Sequence, residues 1–142
     1  MATGAGFGPP IWNVFKRAAS CFICAGVIRG EARSSVMRNQ AHIAQAQFGQ
    51  CSALKGVPSP TAGKNLEQEL KTKAEVTKAL ADSFALCDDL FANVTDANAT
   101  EMVKQGNNEV TRAASLFGVI VHGNEMAGTA YVYLRSKNIV PP

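Results

Sequence analysis

Residues 108–142 read NEVTRAASLFGVIVHGNEMAGTAYVYLRSKNIVPP, and they carry the clearest periodic signal in the chain. No proline interrupts them before Pro141. Val110, Ala113, Phe117, Ile120 and Val121 recur at three- and four-residue intervals, which marks one face of a helix. At about 1.5 Å per residue such a helix is roughly 40 Å long. Ser115, His122, Met126, Thr129 and Tyr133 project to nearly one side and put a histidine, a thioether and a phenol beside the apolar face. A helix with this double character is expected to be central and packed against several neighbours. Asn138 can take a left-handed cap conformation and stop it, and Pro141 and Pro142 prevent its continuation.

Going back along the chain, Thr72-Lys-Ala-Glu75 is a capping box. It opens a helix whose stripe is Val76, Leu80, Phe84, Cys87, Phe91 and Val94, ended by a turn at Thr95-Asp-Ala-Asn98. Before it, residues 57–71 contain Pro58, Pro60 and Gly63 and read as a loop long enough to carry function or to pack over something. An earlier helix is expected to start near Ser35 as cap and to end at Lys55-Gly56. Arg38, Asn39 and Gln40 stand there where apolar residues are expected. A first helix follows Pro10, with Ile11, Phe15, Ala18 and Phe22 on one stripe. Trp12 and Phe15 suit either the core or a subunit contact. The glycine- and proline-rich residues 1–10 are expected to be loosely held. The coarse reading is all-α: four helices with one long crossover, a four-helix bundle in one domain of 142 residues.

Composition narrows the function classes. A net charge of +3 without any run of lysine or arginine gives no basic patch for nucleic acid. The longest apolar run, residues 18–28, is too short to span a bilayer. Lys16 and Arg17 before it make residues 16–32 resemble an export signal, but a first bundle helix in a cytoplasmic protein is the favoured reading. Cys21, Cys24, Cys51 and Cys87 form no disulfide-dense pattern, so reduced thiols are expected. Cys21-Phe-Ile-Cys24 lacks the strand context of a redox motif and the second ligand pair of a zinc site.

Two segments resemble the DinB/YfiT-like superfamily. The first is Ala41-His42-Ile-Ala-Gln-Ala-Gln47, followed by Phe48, Cys51-Ser52 and Ala53-Leu54. The second is His122-Gly-Asn-Glu125-Met126-Ala-Gly128-Thr, then Tyr133-Leu-Arg135 and Ile139-Val-Pro-Pro142. The resemblance covers residues 35–142. Upstream, residues 21–40 lack the proline-, aromatic- and threonine-bearing connection of the family. The resemblance implies a bundle, commonly dimeric, with a metal centre of three histidines, one from the second helix and two from the last. Two of those positions are His42 and His122. Met126 stands where the family has the third histidine, and its neutral thioether is a poor ligand for zinc or nickel. Glu125, three residues from His122, is a candidate substitute, although the family often carries glutamate there beside an intact histidine. Two function classes follow. One is a bundle with an incomplete site for a divalent metal, persisting as a homodimeric binding or structural protein. The other is a metal-dependent enzyme, a thiol-dependent transferase or a hydrolase, using His42 and His122 with a substitute third ligand. No catalytic residue and no substrate follow from either. Phe117 with Val121, and Val119 with Met126 and Ala130, are the expected partner surfaces.

Overall fold

The computed structural model describes residues 12–14, 16–17 and 30–140, with side chains from Ser35 onward in the first long helix. Ile11, Phe15, Ala18, Phe22, Cys21 and Cys24, and the expectations attached to them and to residues 1–10, lie outside the described residues. The elements are α1 (Gly30–Lys55), α2 (Leu66–Glu69), α3 (Lys73–Ala92), α4 (Asp96–Ala99), β1 (Met102–Gln105), β2 (Asn108–Thr111) and α5 (Arg112–Arg135). The chain is mostly helical, as the periodicity requires.

Helix α1 starts at Gly30 rather than at Ser35, which lies inside it. Its end is where the sequence places it. Gly56 adopts a left-handed φ of 68°, its N–H donates to the Ala53 carbonyl at 3.1 Å, and the Val57 N–H donates to Ser52 at 3.0 Å. These two bonds satisfy carbonyls that the last turn leaves open. The same pattern ends α5, where Asn138 sits at φ 57° and donates to Arg135, and Ile139 donates to Leu134. Ile139 then packs on the small cluster of Val36, Ala127, Ala130 and Leu134.

Pairings across the helices fix their directions. Between α1 and α3, Gln47 faces Ser83, Cys51 is bonded to Cys87, and Lys55 pairs with Asp89 at 2.6 Å. Both numbers rise together, so the two helices are parallel, and residues 56–72 must return along the bundle as the long crossover. The hydrogen bond from Lys55 holds the Asp89 carboxyl below its ordinary range. Helix α3 opens with the Thr72–Glu75 capping box and buries Val76, Leu80, Phe84, Cys87 and Phe91. Backbone N–H groups of Lys71 and Thr72 donate to the Glu75 carboxylate and lower its pKa as well.

The Cys51–Cys87 disulfide corrects the expectation of reduced thiols. Both residues are fully buried at the α1–α3 contact, with Cα atoms 5.4 Å apart, a separation that suits the bond.

Trp12 belongs to the core. It is 2% exposed, stacks on Phe91 at 4.2 Å and meets Phe84 edge-on at 5.4 Å. Its indole N–H donates to Asp88 at 2.7 Å, and Lys16 pairs with the same carboxylate. The helical residues 12–14 and 16–17 therefore dock on α3.

Two expectations about the last helix need correction. It begins at Arg112, because residues 108–111 pair with residues 102–105 as an antiparallel hairpin. Gly106, at φ 63°, opens the two-residue turn Gly106-Asn107, a position that favours glycine. Its buried face is Leu116, Val119, Ile120, Gly123, Ala127, Ala130 and Leu134, whereas Ala113 and Phe117 are exposed. Among the described elements α5 packs against several neighbours, as expected, meeting α1, α4, β1 and β2, and α1 meets as many, packing on α2, α3, α5 and β1. The buried residues of α1 extend over more than one side: Ala41, Ile43, Ala44, Phe48, Cys51 and Leu54, together with Asn39, Gln40, Gln47 and Ser52. Asn39 and Gln40 are thus inside although polar, and neither end of the Gln40 amide has a hydrogen-bond partner among the described residues. Each such group costs about 1–3 kcal/mol.

Candidate functional site

Helices α1 and α5 are antiparallel. His42 lies opposite His122, Asn39 opposite Met126, and Val36 clusters with Ala127 and Ala130. Gly123, Ala127 and Ala130 on α5 and Ala41 and Ala44 on α1 are buried, and such small side chains let backbones approach closely. Polar residues then line the seam in successive levels.

At the first level the imidazoles of His42 and His122 lie 5.0 Å apart, centroid to centroid, inclined by 61°. Two rings binding one tetrahedral ion through nitrogens about 2.1 Å from it would have centroids about 5 Å apart. The pair therefore has a spacing suited to a shared ligand. Both rings are partly open to solvent, at 41% for His42 and 29% for His122.

The residue that sequence reading missed is Glu67. Its Oε1 lies 2.7 Å from His42 Nδ1. A carboxylate only accepts, so Nδ1 carries the proton, and in the neutral ring the lone pair is then on Nε2. The placement of Glu67 is built locally. Asn65 caps the four-residue α2, its side chain accepting from the Gln68 N–H. Leu66 is buried in the core, and Gln45 of α1 holds the crossover at two points. Its oxygen accepts from the Leu66 N–H at 2.8 Å, and its nitrogen donates to the Lys64 carbonyl at 2.9 Å. With Leu66 turned inward and Gln45 one turn beyond His42, Glu67 falls on the histidine. The length of the crossover was the available signal; no residue pattern singled out Glu67.

Met126 is partly buried against the main core, and its sulfur accepts from Asn39 Nδ2 at 3.7 Å. Glu125 is exposed, and its Oε2 is 3.8 Å from His122 Nδ1, too far for a hydrogen bond. Thr129 donates to the Glu125 carbonyl one turn back, and Ser115 is buried. Tyr133 is 39% exposed rather than enclosed in the bundle, and Arg135 is exposed in the last turn of α5. So the structure brings His42, His122 and Met126 to one seam, adds Glu67, and leaves Glu125 on the rim. Among the described residues no group of three or more His, Cys, Asp and Glu side chains is arranged to hold a metal ion. The donor set accordingly falls short of a three-nitrogen centre.

The described residues line two cavities of about 320 Å³ each, one at the seam and one away from it. The polar one continues the seam and is lined by Ser35, Arg38, Asn39, Glu67, Thr129 and Tyr133. The other is apolar, bounded by Phe91, Val94, Leu116, Phe117 and Ile120, and shares no residue with the seam.

No protein-family model matches the chain, and no curated protein matches it. Among the described residues no helix is long and apolar enough to cross a membrane.

Proposed function

We propose that the chain is a four-helix bundle of the DinB/YfiT-like type whose metal site is incomplete, and that it works as a binding protein rather than as a metal-dependent catalyst. The observation that carries this reading is the seam itself. Two imidazoles stand at a spacing fit for one ion, and the place of a third nitrogen donor holds a thioether already engaged by Asn39. The parallel α1–α3 pair with its long return connection, and residues 12–14 and 16–17 docked on α3, support the bundle type. Zinc and nickel favour nitrogen and carboxylate donors over a thioether, so two imidazoles alone leave at least half of the coordination shell to water. Titration of the purified protein with zinc tests the reading. Weak binding without a defined stoichiometry is expected.

A specific contact favours the second reading, a metal-dependent transferase or hydrolase. Glu67 orients His42 as carboxylates orient metal-ligating histidines elsewhere. A tight one-to-one zinc site in the unmutated protein would put that reading first, with Glu67 or Glu125 as the third donor.

The same proposal includes a homodimer, with no nucleic acid or membrane as partner. Val119 and Ala130, counted among the partner-facing residues on the sequence, are buried within the chain, so the contact falls on the outer side of α5 around Val132, which is 67% exposed. Light scattering coupled to size exclusion is expected to give a dimer; a monomer at micromolar concentration would contradict it. The cytoplasmic reading draws support from Trp12 and Lys16, which both donate to Asp88 of α3 and so belong to the fold. The disulfide pulls the other way, because such bonds persist in oxidising compartments.

A further inference from the structure

We infer that the polar cleft between α1 and α5 binds a small zwitterion of the α-amino-acid kind, with its carboxylate on Arg38 and its ammonium on Glu67. The inference rests on the binding-protein reading above and supplies its ligand class.

Among the described residues Arg38 is the only cation on the lining, and none of the ion pairs among them involves it. Its planar fork suits a carboxylate. The hydroxyls of Ser35 and Tyr133 line the same cleft and can add donors to that anion. The acceptor is Glu67, which spends Oε1 on His42 and leaves Oε2 to the cleft. A ligand that carries both charges engages this carboxylate and the Arg38 guanidinium together, whereas one with a single charge engages only one of them. A cleft of about 320 Å³ holds a single amino acid and leaves little room for an oligomer.

The test is calorimetric titration of the full chain with each common L-amino acid, then with the N-acetyl and carboxamide derivatives of the tightest. At least one amino acid is expected to bind at one per chain. Either derivative, which removes one of the two charges, is expected to bind about tenfold or more weakly, the worth of one hydrogen bond to a charged group. Arg38→Gln should lose affinity by a similar factor and Arg38→Lys by less, whereas the zinc affinity of a Met126→His variant stays unchanged in both. No binding by any amino acid, derivatives that bind as well as their parent, or an Arg38→Gln variant of full affinity would each overturn the proposal. The two readings fail separately. A tight zinc site together with zwitterion binding removes only the incomplete-site reading. Weak zinc binding without zwitterion binding removes only this inference.

Discussion

Met126→His is expected to raise zinc affinity by roughly a hundredfold or more. Zinc bound by four protein donors gains about 10–16 kcal/mol, hence about 3 kcal/mol per donor. The new imidazole would lie one turn from His122 on the same helix face, where residues four apart sit about 6 Å from one another. His42 already stands across the seam, 5.0 Å from His122, and Glu67 already fixes the proton on its Nδ1. The substitution therefore adds a donor to a prepared pair instead of building a site. Competition against a chromophoric zinc chelator measures it. An affinity equal to that of the unmutated protein would mean that the seam cannot close around an ion. Met126→Leu serves as the control, because it removes the sulfur, keeps the volume, and should leave zinc binding as it was.

The second large effect concerns the disulfide. Cys51 and Cys87 are 36 residues apart, and closing a loop of that length in the unfolded chain is worth about 4 kcal/mol in the chain-entropy account. The Cys51→Ala/Cys87→Ala double variant is expected to lose about 2–5 kcal/mol of unfolding free energy, read from urea titration, and to keep its helical circular dichroism. Both sulfurs are inaccessible in the fold, so the alanines also leave a small void. Equal stability of the double variant and the parent would contradict a structural role. Thiol titration of the denatured parent, purified without reductant, is the companion measurement, and no free Cys51 or Cys87 is expected.

These two sites differ in how far the sequence exposes them. The histidine pair was legible because both residues match a resemblance in order and spacing and fall within segments read as helices. Helix α3 was legible for the same reason, with a capping box and a clean apolar stripe, and Asn138 announced the end of α5. The disulfide was not legible. Cys51 and Cys87 meet only because α1 and α3 run parallel in a register offset by 36 residues, the same offset that brings Gln47 to Ser83. Nothing local in either helix encodes that register. Glu67 was hidden likewise, because its position depends on Gln45 clasping the crossover and on Leu66 turning into the core. The start of α5 was misread for a different cause. Val110 continues the helical spacing of Ala113 and Phe117, but Gly106-Asn107 between two short segments is a hairpin signal, and Thr111 caps the helix by accepting from Ala114. Turn chemistry outweighs a periodicity of a single extra residue. The exposed Phe117 follows from that same misjudged face, since the stripe that meets α1 runs through Leu116, Val119 and Ile120.

The central claim is that the seam between α1 and α5 lacks the donors to retain a divalent metal. Elemental analysis of the protein as purified, without chelator and beside Met126→His, tests it most directly. The account predicts substoichiometric zinc and nickel in the unmutated protein and a marked rise in the variant. One equivalent of either metal per chain in the unmutated protein would contradict it.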